Sequence, residues 1–488
     1  MNIVSQFNNF LLNNFNKYLK NYFNQCNYYT KSSDFNNYHS FINDIDNFSD
    51  SFIKDVIKGY FEYIDDVFFN SSYRKTYCTS NGFYTRKNYV TLFGEITFKR
   101  RYYFDKLNNE WFFFTDLFLG LPKRKHFDPF ICADICDYST SNSYSKTGKL
   151  ISDKIGKRTK NTINISRATA RNIVMAMNTD IELQKNDKRI ERLFVMLDEK
   201  FVGSQFNDGN DHMVKASVVF EDTELEYKTK KKENSMDRYR LVNSHVCASV
   251  DNDLLNNTVD YIYNTYNTDY IKEIIFMGDC ASWIKNFPKS HWFNFSSDTK
   301  VMFSMDGFHF SQALNNLTTI KYPEIKDALQ QLVKENNKEN FIELCEQFKD
   351  LNPERSETIE KKMNYILNNW NERQLYQNNS YMKCSMESHI SHILADIFTS
   401  RPKAYSKKGL RQLLKLRILK INKTDIKELY FKNIKAHKVN HKKEKTIKKE
   451  NKNKTNINYN LQKENKYDIQ YETALDIRFH NLKEIVPI

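Results

Sequence analysis

The stretch KEIIFMGDCASWIK, residues 272–285, runs through four apolar residues and a glycine to Asp279, then turns to small residues and a tryptophan. An ionised carboxylate is costly to bury unpaired, so Asp279 does not serve the apolar run before it. Two other stretches have the same form. RLFVMLDEKFVGS, residues 192–204, reaches Asp198, and KVMFSMDGFH, residues 300–309, reaches Asp306. Continuous apolar runs of this length suit strands buried on both faces, in an α/β sheet flanked by helices. Gly278 and Gly307, two of only 11 glycines, adjoin these acids and permit tight turns or close backbone approach. One strand ending in Asp is ordinary, because Asp is a common turn residue. Three in succession read as a functional carboxylate cluster, since ligands of α/β sheets gather at the carboxyl ends of strands.

The surrounding segments fit that sheet. MVKASVVFED (213–222) and SHVCASV (244–250) read as further strands, and NDLLNNTVDYIYNTY (252–266) as a helix. From Phe308 to about Gln377 the pattern is helical, as in EIKDALQQLVKENNKENFIELCEQF, and too long for a connecting loop. Met386, Ile390, Ile393, Leu394 and Ile397 then form one apolar helical stripe, with Glu387 at its edge. Arg401-Pro402 ends that helix, and SKKGLRQLLKLRILK (406–420) is a basic amphipathic one.

Towards the N-terminus, Phe52, Val56, Tyr60, Ile64 and Val67 mark an amphipathic helix. NYVTLFGEITFKRRYYFD (88–105) turns at Gly94 between two β-prone runs, as a β-hairpin does. NISRATARNIVMAM (164–177) opens with Ser166 as N-cap, and the polar break GKRTKNT separates it from an earlier helical segment. A helix-turn-helix would present Arg167, Thr169 and Arg171 to base edges; a plain helical hairpin with a basic face is the other reading.

The formal charge of +14 is uneven. Arg401 to Thr455 holds 20 Lys+Arg against 4 Asp+Glu, leaving −2 for the remainder of the chain. One basic region points to a polyanion, most simply nucleic acid, with Arg401, Lys407, Lys408 and Arg411 as phosphate contacts. Beyond about Ala436 the segment lacks apolar periodicity and is expected to be disordered without a partner. The eight cysteines form no CxxC pair, and Cys132 and Cys136 are spaced as neighbours on a helix face. With no signal peptide and no apolar run of membrane length, a reduced, cytoplasmic protein is expected.

Clustered carboxylates repel unless cations neutralise them. Oxygen-only donors suit Mg²⁺ or Mn²⁺, and two such ions can activate a nucleophile and stabilise the leaving oxygen of a phosphodiester. ATP hydrolysis is disfavoured, since no GxxxxGK[ST] loop occurs. His389 and His392 lack the HExxH context of a zinc site, and Cys280 reads as a small residue at a packed turn.

Taken together, TLFGEITFKRRYY, LFLGLPKRKHFDP, ISRATARNIV, MLDEKFV, GDCASWIK, MDGFHFSQAL, YILNNWNER and SMESHISHILADIFTSRPKAYSKKGLRQLLKLR make the chain resemble DDE transposases of the ISLre insertion-sequence family, from about Thr91 to Lys420. The resemblance implies a ribonuclease H-like catalytic core with an all-α insertion, and catalytic, metal-binding acids at Asp198, Asp279 and Glu387. Glu372 in YILNNWNER is the next candidate for the third acid. Asp306 and His309 look like a supporting Asp-x-x-His signature. The implied activity is metal-dependent DNA strand cleavage and strand transfer by a homo-oligomer on double-stranded DNA. A DNA-binding repressor, or a nuclease without strand transfer, are the competing functions. Ala404-Tyr405 departs from the family, whose members tend to have a small residue and tryptophan there. The expected organisation is an α+β N-terminal region (1–126), a helical DNA-binding region (127–190), the core (191–310 and 380–422), the insertion (311–379) and a basic C-terminal region (423–488).

Overall fold

The computed structural model describes residues 8–20 in part, 37–121, 126–156, 163–205, 211–227, 238–319, 321–377, 386–399 and 403–434; the side chains of 37, 227, 238, 374–377, 387 and 388 lie outside that description. The expectations for Arg401-Pro402 and for the segment beyond Ala436 therefore fall outside the described residues. The chain divides into two compact units, residues 1–178 with 426–488, and residues 179–425.

The first unit begins with the expected amphipathic helix, α1 (Asn37–Asn70), which buries Phe61, Ile64, Val67 and Phe68. After the short α2 (Ser72–Tyr77), β1 (Cys78–Thr91) and β2 (Gly94–Asp105) form the hairpin read from the sequence, with Thr91 opposite Gly94. Gly94 takes φ +115°, a value open to glycine, and the Thr91 hydroxyl donates to its carbonyl at 2.9 Å. A third strand, β3 (Glu110–Phe113), pairs antiparallel with the end of β2. Tyr103 and Phe112 lie with Phe68 and Ile64 in one buried cluster, and α3 (Phe114–Leu119) follows.

Three helices then pack on one another: α4 (Pro129–Ser139), α5 (Tyr144–Gly156) and α6 (Arg167–Met175). Asp128 caps α4 and Ser166 caps α6, the latter accepting the Thr169 N–H at 3.1 Å. Gly148 lets α5 approach the residue before α6, because a Cβ there would stand 2.2 Å from the Ile165 carbonyl oxygen. The helix over residues 426–434 returns to this cluster, with Lys427 paired to Asp134 and Phe431 against Phe130 at 4.8 Å between ring centres. The basic C-terminal region thus opens with a folded helix that belongs to the first unit.

The second unit is built on a five-stranded mixed sheet. Its strands are β4 (Arg192–Val202), β5 (His212–Phe220), β8 (His245–Ser249), β9 (Glu273–Gly278) and β10 (Lys300–Met305), in the order β10-β9-β4-β5-β8. Between β5 and β8, a separate ribbon of β6 (Asp222–Tyr227) and β7 (Arg238–Val242) branches off. Strand β5 pairs antiparallel with both β4 and β8, whereas β9 pairs parallel with β4 and β10 parallel with β9.

Helix α7 (Leu254–Thr265) joins β8 to β9 and covers one face of the sheet, where Leu193, Val195, Leu197, Ile274 and Phe276 are buried with Val259 and Ile262. Phe194, Met196, Ile275 and Met277 are buried on the other face, so the apolar runs of the central strands are buried on both faces, as predicted, although β4 continues past Asp198 to Val202. After β9 comes the short α8 (Ser282–Asn286), and after β10 a helical array with its own core: α9 (Gly307–Thr318), α10 (Pro323–Lys334), α11 (Lys338–Asp350), α12 (Ser356–Leu367) and α13 (Trp370–Gln377). Helix α14 (Met386–Ile390) continues as a π-helical stretch over Ser391–Thr399 and packs against β4, with the predicted Met386, Ile390, Ile393, Leu394 and Ile397 all buried. Helix α15 (Lys407–Ile421) is capped by Ser406 and packs against β8. Among the described residues no helix is long and apolar enough to cross a membrane.

Candidate active site

The sheet register sets the acids in a row. Met196 on β4 lies opposite Met277 on β9, and Gly278 lies opposite Met305 on β10. Continuing each register by one or two residues puts Asp198, Asp279 and Asp306 at one level on three adjacent parallel strands. Because cross-strand neighbours share a face, all three acids fall on the side of Met196 and Met277. The Asp306 N–H donates to the Gly278 carbonyl at 2.8 Å, which extends the β9–β10 pairing to the acid itself. Gly278 is the close-approach glycine of the row, since a Cβ there would meet the Leu197 carbonyl oxygen at 2.9 Å and Ile284 at 2.7 Å.

Each carboxylate has its own setting. Asp198 is 7% exposed and accepts the Glu199 N–H at 2.7 Å. Asp279 stands just past its strand and accepts the Ala281 N–H at 2.9 Å, while its carbonyl accepts the Tyr365 hydroxyl at 2.7 Å. Cys280 turns the chain with φ +69°, and burial pushes its thiol up to about 12, so it is a protonated turn residue. Asp306 is the N-cap of α9, accepting the Phe308 N–H at 3.1 Å, and its second oxygen pairs with His309 Nδ1 at 2.8 Å. That hydrogen bond raises His309 above the ordinary imidazole range against the opposing effect of burial, and the charges of Asp306, Asp279 and Asp198 act in the same upward direction. One imidazole therefore senses all three acids. The carboxylate at the end of the row is committed to its helix and its histidine.

The third implied acid, Glu387, lies on α14, the helix packed against the strand that carries Asp198. Its side chain is outside the described residues, as is Arg401. Among the described residues, no three His, Cys, Asp or Glu side chains converge as a metal-binding group. Glu372, the other acid considered for the third position, is paired with Lys285 at 2.9 Å. His389 is half-buried and pushed below its usual range by burial and by His392, which is exposed.

A surrounding set of residues had no signal in the sequence. Trp283 donates its indole N–H to Glu199 and carries the Lys215 ammonium 5.0 Å from its ring centre. Lys285 reaches both Glu372 and the Asn369 side-chain oxygen, the latter at 3.0 Å. With Tyr365, these contacts tie the Asp279 turn to α12 and α13. The partners are 84 to 87 residues apart in the chain, so no local pattern relates them. Near the end of β4, Tyr405 pairs with Ser204, and its carbonyl meets His212 Nε2 at 2.9 Å. The backbone of Tyr405 makes this join, so it does not depend on which side chain stands there.

The residues read as DNA contacts fall into two groups. Arg167 and Arg171 are exposed on the first turns of α6, with Thr169 half-buried between them. Lys407 and Arg411 on α15 both pair with Asp251, Arg411 through two nitrogens at 2.7 and 3.0 Å and Lys407 at 3.0 Å. The hydrogen bond from Arg411, with Lys407 adding to it, pulls Asp251 down to about 2. Lys408 is exposed.

A family model described as an uncharacterised protein family, UPF0236, matches residues 34–435. Among curated proteins, the chain is similar to UPF0236 protein TTE0402 of Caldanaerobacter subterraneus subsp. tengcongensis, at 25% identity over 353 residues, covering 70% of this chain and 66% of that protein. It is also 25% identical over 353 residues to UPF0236 protein TTE2489 of the same organism, covering 70% of each. A third relative there, whose name joins eleven designations from TTE0033 to TTE2212, is 25% identical over 356 residues, covering 70% of this chain and 69% of that protein. The match to the first of these relatives spans just under two thirds of its length.

Proposed function

The chain belongs to the uncharacterised protein family UPF0236, whose model matches residues 34–435, and from that premise we propose that it is a DNA transposase of an insertion sequence. In this reading Asp198, Asp279 and Glu387 form a DDE triad on a ribonuclease H-like core, and α9 to α13 are its helical insertion. The observation that carries the proposal is the row of acids at one level of three adjacent parallel strands, faced by one histidine. The sheet adds support: its first strand is central, with β5 and β8 following in antiparallel pairing on one side and β9 and β10 in parallel pairing on the other. So does the third relative's name, because a sequence recurring under many designations in one organism is what an element that copies or moves itself leaves behind.

The donors of the triad are all oxygens, which fits two Mg²⁺ or Mn²⁺ ions rather than zinc. Such ions, when bound, would lower the pKa of a water and neutralise charge on a phosphodiester. The chain's own residues then divide the remaining work. Tyr365, Lys285 and Glu372 hold the Asp279 turn, and Asp306 with His309 anchors the start of α9. Helix α6 offers Arg167, Thr169 and Arg171 to the element ends, as the second helix of a helix-turn-helix would. Partners are double-stranded DNA of the cytoplasm and further copies of this chain.

The test is incubation of the purified chain with DNA carrying the flanks of its own gene and a target plasmid. We expect Mg²⁺- or Mn²⁺-dependent cuts at the element ends and joined products. Asp198→Asn, Asp279→Asn and Glu387→Gln should each abolish cutting while leaving DNA binding and folding largely intact. End binding without any cut would make the protein a repressor. Cutting without joined products would make it a nuclease, and near-normal cutting by any variant would remove that residue from the triad.

A further inference from the structure

The three-stranded sheet of the first unit has one face against α1 and another that is open and aromatic. Five rings cross it from strand to strand. Tyr84 on β1 lies 5.5 Å from Tyr102 on β2 and 5.8 Å from Phe113 on β3, centre to centre. Tyr102 stacks on Trp111 at 4.9 Å with their planes 19° apart, and Trp111 meets Phe104 at 5.1 Å. The registers Tyr102 opposite Phe113 and Phe104 opposite Trp111 place these rings on one side of the sheet. Tyr84 is 43% exposed and Trp111 44%, so the outer rings are open to solvent.

The charge beside the rings is basic. Residues 72–121 contain eight Lys+Arg and four Asp+Glu. Two of those acids are already engaged: Asp116 pairs with Arg86 and Arg100, and Asp105 accepts the N–H groups of Leu107 and Asn108. Arg100 also lies over Phe113, 3.8 Å from its ring centre, which ends the ring row on a cation. Lys75, Lys87 and Lys106 are exposed, and among the described residues none of them is ion-paired. Lys75 and Lys106 flank the end of the sheet where Phe104 and Trp111 stand, since the Lys106 N–H donates to the Tyr77 carbonyl at the end of α2.

We propose that this face is a stacking platform for single-stranded nucleic acid. Bases in a duplex hide their planes in the stack, whereas unpaired bases present them, and flat rings bordered by lysines match both the planes and the phosphates. The occupant is the unpaired strand that opens beside a cut or distorted duplex end. The inference rests on the reading of this protein as one that handles DNA, yet it needs neither the carboxylates nor a metal.

It is tested on the full chain in EDTA, with fluorescein-labelled oligothymidylate of roughly 16 nucleotides and a duplex of the same length. Tyr84→Ala with Trp111→Ala should weaken oligothymidylate binding at least about fivefold, with duplex binding unchanged. Trp111→Phe should keep most of the affinity, and Trp111→Leu, which retains bulk without a ring plane, should lose it. Lys75→Ala and Lys106→Ala should each flatten the plot of log affinity against log salt by about 0.7. Unchanged oligothymidylate affinity in either ring-free variant that retains its melting temperature would overturn the proposal. An equal loss on duplex, or an altered oligomeric state in place of altered affinity, would overturn it too. Because no cleavage is measured, failure here leaves the proposed cutting chemistry standing, and loss of cutting leaves the platform standing.

Discussion

Asp279 and Asp306 are the same side chain at the same level of adjacent strands, and their neighbours give them different work. The Asp306 carboxylate satisfies the first turn of α9 and holds His309. Removing an N-cap costs about 1 kcal/mol, so Asp306→Ala should lower the melting temperature and the cutting rate together. Weaker metal affinity at an unchanged melting temperature would instead make Asp306 a ligand, and calorimetric titration with Mg²⁺ beside a thermal melt separates the two outcomes. Asp279 is held through its backbone by Tyr365. Tyr365→Phe keeps the ring among its apolar neighbours and removes one hydrogen bond, worth about 1 kcal/mol. It should raise the Mg²⁺ concentration for half-maximal cutting several-fold with little change in melting temperature. If only the melting temperature moves, Tyr365 is a packing residue of α12. At this scale the acids were legible because a charge at the end of an apolar run is a local anomaly. Their supports were not, because hydrogen bonds across more than eighty residues leave no local trace.

Elements followed the sequence wherever one face or one turn imposed a period. The hairpin at Gly94, the cap at Ser166 and the apolar stripe from Met386 to Ile397 all formed as their spacing required. The exposed edge of the sheet shows what spacing does not convey. Among the described residues β8 has no further strand beside it, and Asn422, just past α15, takes that place: its side chain accepts the Val246 N–H at 2.9 Å and donates to the Val246 carbonyl at 2.8 Å. An amide side chain offers one donor and one acceptor, which is what an edge residue leaves unmet. The neighbouring His245 stacks on Tyr261 at 3.7 Å, and burial pushes it down to about 4. In the unfolded chain this imidazole takes up a proton below about 6.5, whereas the folded one resists until about 4. Its contribution to stability is therefore complete above pH 6.5 and is lost as the pH falls towards 4, by on the order of 3 kcal/mol in all. His245→Phe keeps a stacked ring without the titration, so urea unfolding at pH 7 and pH 5 should differ less for that variant than for the parent. Equal pH dependence in both proteins would show that other groups set the acid sensitivity.

For the whole molecule, charge and fold follow different rules. The basic excess lies in residues 401–455, and much of it beyond the last described residue. Deletion of residues 438–455 should weaken binding to all DNA sequences alike and flatten the salt plot by roughly 0.9 for each phosphate left without its cation. Arg167→Ala with Arg171→Ala should do the reverse, costing discrimination between element ends and random duplex at a nearly unchanged slope. An unchanged slope after the deletion would make the segment a solvated tail, and unchanged discrimination would return α6 to a structural helix. Chain order also misleads about what folds with what, since residues 426–434 complete the first unit after the whole of the second has intervened. The sequence by itself determined the kinds of element, the buried strands, the helical stretch after Phe308 and the acids that close the apolar runs, because hydrophobic period, caps and misplaced charge are properties of neighbouring residues. Only the tertiary structure decided the strand order, the level at which Asp198, Asp279 and Asp306 meet, the clamp on the Asp279 turn and the open ring face of the first sheet. Those depend on register and packing between segments distant in the chain, where the energy lies in contacts that no single segment contains.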